Sequence, residues 1–378
     1  MKINPIKSKI VHFRPNSITR VDIVFKCGDF NLDIVDRYTY LGLVLHEHLD
    51  YNVTAKVVAQ SASRALGLLI AKCKAIGGFT YDVYTKLYNS LVWPVIDYGS
   101  AIWGLKSFSC INAIHNRAMR FFLGVGKYTP NAAVVGEMGW DPPIVRQWKT
   151  ICNLWCRMSS LSFRRINRRV ALWAQSKASS RCRNWFYTVM NRLTSLDCHV
   201  YSTINQHIGK NMLFDIVKPK LMDEFINEWK VSINRVNGIR NVGRNKLRTY
   251  SLFKSNFDVE QYCKMILPHQ HRSAFSKFRC GVAPLRIETG RYENLNVIDR
   301  KCTFCNAIED ECHVLFNCHI YGEYRQELYM KAEHVCPAFS NMTDIDKLVY
   351  LFSNPQLIRI TAKTCFNILR KRSLIMCK

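Results

Sequence analysis

Four potential metal ligands lie within seventeen residues of this sequence: Cys302-Thr303-Phe304-Cys305, then His313, then Cys318. Two cysteines two residues apart can turn the backbone so that both sulfurs face one ion. His313 and Cys318 then supply the other corners of a tetrahedron, in a C-x2-C-x7-H-x4-C array. A closed set of four protein ligands leaves no open position for a substrate, so the expected cofactor is a structural Zn2+. Cys312 and His319 sit beside the chosen ligands and are the competing candidates. The intervening segment carries Glu309, Asp310 and Glu311 and little that could form a core, so metal binding is expected to supply most of its folding energy.

The 16 cysteines fit the same picture. The first nine residues have no apolar core of the kind an export signal needs, so the thiols are expected to be reduced, in the nucleus or cytoplasm, and available to a metal. No run of about 18 uncharged apolar residues occurs, and the best candidate, residues 87–105, is interrupted by Asp97; no membrane span is expected. A hydrophobic content of 48% over 378 residues excludes wholesale disorder and leaves room for two or three cores.

Charge points to the partner. The chain has 54 lysines and arginines against 28 acids, a net +26. Such an excess on a folded chain favours a polyanion, since every neutralised phosphate releases condensed counterions. The excess is uneven: residues 151–250 hold 18 basic and 5 acidic residues, whereas residues 301–350 hold 4 and 8. Arg164, Arg165, Arg168 and Arg169 fall at i, i+1, i+4 and i+5, which would gather them on one side of a helix, with Ile166, Val170 and Trp173 on the other. Phe163, Trp173, Trp185, Phe186 and Tyr187 thread through this region. They could stack on bases, but Trp173 lies opposite the arginines, and the aromatics are expected in the core.

The expected architecture is α+β, predominantly α: a small N-terminal antiparallel sheet, a helical middle and a C-terminal CCHC module. Strands are expected at residues 9–14, 21–26 and 38–45. A long amphipathic helix follows, with Val58, Ala62, Ala65, Leu66, Leu69, Ile70, Cys73 and Ile76 on its apolar face and Gly77-Gly78 at its end. Helices are also expected from Tyr81 to Pro94, over residues 110–125, through Trp148, Ile151, Cys152 and Trp155, and over residues 257–278. The basic, glycine-containing stretch 235–250 reads as a linker between residues 51–234 and 251–378.

A catalytic centre is missing from the pattern. No adjacent Asp-Asp pair, Walker loop, G-x-S-x-G or H-E-x-x-H occurs. Asp344-x-Asp346-Lys347 is the nearest approach to paired carboxylates, and it is expected to open a helix.

With these residues in view, the chain resembles the C-terminal half of a non-LTR retrotransposon reverse transcriptase along nearly its whole length. Residues 2–13 (KINP…KSKIVHF) resemble the palm segment that follows the catalytic strand. Tyr40-Leu41-Gly42 resembles the next hairpin, and residues 87–103 (LYNSLVWP…YG…W) resemble the thumb. Residues 278–300, leading into the Cys/His array, resemble the family's terminal zinc-knuckle module. The resemblance implies a primer-gripping role for Tyr40, Leu41 and Gly42, and RNA or DNA as partner. The acidic array is not itself expected to anchor phosphates; it would orient Arg279, Arg286, Arg291 and Arg300 toward nucleic acid. The palm's Asp-Asp motif is absent here, so the chain would need an upstream palm and fingers region to polymerise. The other reading is a standalone zinc-containing nucleic-acid-binding protein derived from such an element.

Overall fold

A computed structural model describes residues 4–201, 209, 211–234 and 246–376 of the chain. The strands are short: β1 Phe25–Cys27 pairs antiparallel with β2 Phe30–Leu32, and β3 Arg37–Tyr40 with β4 Leu43–His46. The helices are α1 Tyr51–Ile76, α2 Tyr81–Leu87, α3 Trp93–Asp97, α4 Ser100–Trp103, α5 Ser109–Leu123 and α6 Asn131–Met138. They continue as α7 Pro143–Ser160, α8 Ile166–Ser176, α9 Trp185–Ser195, α10 Met212–Asn234, α11 Tyr250–Phe253 and α12 Gln261–Lys264. The last five are α13 His269–Arg279, α14 Arg286–Thr289, α15 Gly322–Val335, α16 Asp344–Ser353 and α17 Ile358–Met376. The chain is therefore mostly helical with a small antiparallel N-terminal region. Among the described residues, no helix is long and apolar enough to cross a membrane.

The chain divides into two compact units that interleave along the sequence. The first takes residues 1–69, 88–115 and 141–222; the second takes 70–87, 116–140 and 223–378. Of the expected linker, residues 235–245 lie outside the described residues.

Several expectations hold, and the differences have local causes. Helix α1 buries Ala55, Ala62, Leu66, Leu69 and Cys73, and it ends at Gly77, whose φ of +86° suits a helix stop. The single strand expected at 38–45 is instead a hairpin. Leu41 and Gly42, at φ +48° and +80°, make the two-residue turn between β3 and β4. A Cβ on Gly42 would lie 3.4 Å from the Tyr98 ring, so the close approach and the backbone both favour glycine. Residues 9–14 form no strand, contributing only the bridge between Ile10 and Ile34. The helix expected to stop at Pro94 passes it, because the turn Tyr88–Val92 widens to π-type and places Pro94 in the first turn of α3, where a missing amide costs little. The helix expected over 257–278 is broken, and α13 begins only after Pro268.

In the first unit, α7 lays Trp148, Ile151, Cys152 and Trp155 against Ala171 of α8, Phe186 and Val189 of α9, and Leu213 and Val217 of α10. Burying these aromatics is worth roughly 2–3 kcal/mol each before ordering costs. Nearby, the Tyr88 hydroxyl lies 2.8 Å from His115 Nδ1, and His115 is fully enclosed. In the second unit, Tyr84 stacks on Phe122 and Trp140, with ring centroids at 5.3 and 6.2 Å. A second cluster there joins Ala133, Trp229, Tyr250 and Cys280.

A buried ion-pair network holds the second unit. Arg279 donates to both carboxylate oxygens of Glu137 at 2.7 and 3.0 Å, approaches Glu260 at 2.8 Å, and donates to the Phe352 carbonyl at 2.9 Å. Burial alone would lower the Arg279 pKa, and the two carboxylates more than reverse it. Replacing Arg279 by Met strands buried negative charge. Urea unfolding should show a loss of about 3–5 kcal/mol, and a loss under 1 kcal/mol would mean the network is dispensable.

Burial also depresses the His115 pKa from 6.5 to about 3, and Arg146 adds to the effect. The unfolded chain then takes up its proton first, so this stabilisation is complete above pH 6.5 and is lost as pH falls toward 3. The cost should reach about 2 kcal/mol by pH 5. Urea midpoints measured from pH 7 to 5 should fall less steeply for His115→Gln than for the parent chain.

Candidate metal centre and basic surface

The Cys/His array folds into one cluster. Lys301 and Ile308 form an antiparallel bridge; between them the Cys302 amide donates to the Ala307 carbonyl at 2.7 Å, and the Asn306 amide to the Cys302 carbonyl at 3.1 Å. Asn306 closes this turn at φ +54°, a conformation asparagine tolerates better than most residues. Cys302 and Cys305 thus face the same way. On the other side, His313–Asn317 is a single π-turn, with the Cys318 amide donating to the His313 carbonyl at 2.8 Å. The x4 spacing therefore spans one wide turn, which brings His313 and Cys318 together.

One ligand atom from each of Cys302, Cys305, His313 and Cys318 lies within 4.8 Å of all the others. Cys318 Sγ is 3.9 Å from Cys302 Sγ and 3.6 Å from Cys305 Sγ. A tetrahedron built on ~2.3 Å metal–sulfur bonds has edges of about 3.8 Å, so these separations suit a shared ion. His313 is buried, and its Nε2 has no hydrogen-bond partner, as expected of an atom reserved for a metal. Burial lowers its pKa, which keeps the imidazole in the neutral, ligating form. Burial, helped by Cys305 and Cys302, pushes the Cys318 thiol up to about 12. An ion would have to displace that proton, so binding would release acid. The cluster could hold a metal ion, and its donor set is consistent with zinc.

The competitors separate. Cys312 points away, 3.9 Å from the Asp344 carbonyl. His319 Nδ1 lies 3.3 Å from Cys305 Sγ, at the edge of the cluster. Asp344 and Asp346 form no paired-carboxylate site: they open α16, which Thr343 caps by accepting from the Asp346 amide at 3.2 Å.

The arginines leading into the array are all buried or paired within the chain. Arg279 is in the buried network. Arg286 holds Glu293 through two bonds of 2.6 and 2.8 Å, and Arg291 holds Glu288 at 2.8 Å. Arg300 is buried and donates to the Ile287 and Leu295 carbonyls. Sequence reading missed the acid that organises this region, Glu309. It accepts from the Arg286 amide at 2.6 Å and from two nitrogens of Arg372 at 3.1 and 2.7 Å, clamping α14 and α17 beside the cluster. The run Glu309-Asp310-Glu311 was visible; its partners were not.

The basic helix is arranged differently from expectation. Helix α8 starts at Ile166, and Arg165 precedes it in extended backbone, so Arg164 and Arg165 are not helical. Arg168 is buried and donates to the Met158 carbonyl at 2.7 Å. Ala171 and Leu172 face the core, and Ile166, Val170 and Trp173 face solvent, the reverse of the expected orientation. Trp155 and Phe186 already fill the space beneath, and a small Ala171 lets α8 approach them. Arg164, Arg165 and Arg169 remain exposed. Tyr40 and Leu41 are also exposed at the hairpin tip, where the Leu41 carbonyl accepts from the Tyr98 hydroxyl.

Cys302→Ser or His313→Asn should abolish stoichiometric metal binding by the purified chain, while Cys312→Ser and His319→Asn should retain it. Metal analysis of these four variants decides the ligand set; loss in the last two with retention in the first two would reverse it.

The chain matches no protein-family model, no curated protein and no solved structure.

Proposed function

We propose that the chain binds nucleic acid as a relative of the C-terminal half of a non-LTR retrotransposon reverse transcriptase, with Zn2+ at Cys302, Cys305, His313 and Cys318 cross-linking one part of it. The observation that carries this reading is the charge. Between Asp141 and Asp197 the chain has eleven lysines and arginines and no acid. Arg164, Arg165 and Arg169 of that run are exposed, so their charge is available to phosphates, which arginine can grip bidentately. The ordered motif series supports the family relation, and Tyr40-Leu41-Gly42 lies at the tip of a hairpin, where a primer-contacting segment would have to be.

Zinc, when bound, would neutralise the thiolates and cross-link residues 302–318; with four protein ligands it has no position left for a substrate. The chain has no adjacent Asp-Asp pair, and its nearest approach, Asp344 and Asp346, opens a helix. Polymerisation therefore belongs to an upstream palm and fingers region, and this chain would position template or target for it.

Affinity for RNA or single-stranded DNA should fall by about 10³–10⁵ between 50 and 200 mM salt if six to ten phosphates are neutralised. Replacing Arg164, Arg165 and Arg169 together by Ala should weaken binding to all sequences and reduce the log–log salt slope by about 3. Absence of binding at 50 mM salt would defeat the reading.

A further inference from the structure

The outward face of α8 is an apolar stripe left exposed among the described residues. Ile166, Val170 and Trp173 follow one another at helical spacing and are 73, 55 and 64% exposed, and Phe163, just before the helix, is 68% exposed. The stripe is one side chain wide, with exposed Asn167 and Arg169 beside it. Arg164 and Arg165 lie at one end. At the other, the loop after α8 carries exposed Lys177, Arg181 and Arg183. That loop is tied to the last turn of α8 by the Asn184 side-chain amide, which donates to the Ala174 carbonyl at 2.6 Å. An apolar strip rimmed by cations, in a stretch of sequence without a single acid, marks a contact surface for an anionic ligand that also has apolar faces.

We propose that this stripe is the site for unpaired nucleotides, with bases stacked on Trp173 and Phe163 and phosphates held by Arg164, Arg165 and Arg169. The proposal rests on the nucleic-acid reading above and narrows it to a strand type and a place. A duplex turns its base faces inward, so an exposed indole has little to gain from it; a single strand offers a π-face at every base. An acidic peptide would satisfy the arginines without using flat rings. A lipid surface would favour a broad apolar face, and this one is narrow and short. From Ile166 to Trp173 the stripe spans about 10 Å of helical rise, with Phe163 just beyond its start, room for two or three stacked bases.

The test uses the full chain, a fluorescein-labelled fifteen-nucleotide oligothymidine and the matching fifteen-base-pair duplex, by anisotropy at fixed salt. The double variant Trp173→Ala/Phe163→Ala should lose about 10- to 100-fold in affinity for the single strand and less than about 2-fold for the duplex. Trp173→Phe should restore most of the single-strand affinity; both variants should keep the parent circular dichroism, since neither side chain is buried. Unchanged single-strand affinity in the double variant, alongside a loss on replacing the three arginines, would overturn the stripe and leave the nucleic-acid reading standing. No binding of either oligonucleotide by the parent chain would remove both. Trp173-dependent binding to phosphatidylserine/phosphatidylcholine vesicles that oligothymidine does not compete away would replace the nucleotide with a lipid surface.

Discussion

Taking the Arg279 guanidinium out of water requires compensating charge, and Glu137 and Glu260 supply it. That requirement sorts the charges of the second unit. Glu288 takes Arg291 and Lys246, Glu293 takes Arg286, Glu309 takes Arg372 and Glu311 takes Arg248. With 28 acids against 54 basic residues, such pairing cannot reach everywhere. Residues 142–196 contain no acid of their own, and Arg164, Arg165 and Arg169 there are exposed. Uneven carboxylate placement, more than the total charge, separates cations that build the structure from those free to meet a phosphate.

The parts of the molecule legible in the sequence are those decided by neighbours in the chain. The side chains of Cys302, Cys305, His313 and Cys318 converge through one tight turn and one π-turn, both encoded in their spacing. The apolar face of α1, and Trp148 and Trp155 on α7, follow from a 3.6-residue period, and Gly77 marks a stop that only glycine adopts easily.

What the sequence hid depends on distant partners. Nothing near Arg279 announces Glu137, 142 residues earlier, so a basic residue before a metal array was read as outward-facing. In α8 both faces were plausible. The helix buries whichever side fits the space left by Trp155 and Phe186, and that side is Ala171 and Leu172 rather than the bulkier Trp173. Arg168 can follow them inward because the Met158 carbonyl, in the last turn of α7, accepts a hydrogen bond from it. Volume in the core outweighed hydrophobicity on the helix, a competition that no periodicity records.

The contrast between the Cys/His loop and the Glu137–Arg279 pair lies in how much chain each must close. The Cys302–Cys318 loop is closed by contacts within seventeen residues, and loops of roughly ten residues close in about 10–100 ns. The Glu137–Arg279 pair must first bring together segments separated by 142 residues, a contact whose closure entropy falls due before any stabilisation returns. The backbone contacts of the cysteine loop thus carry a far smaller closure entropy than the Glu137–Arg279 pair. In the second unit, the buried carboxylate of Glu137 has no guanidinium to pair with until α13 is in place.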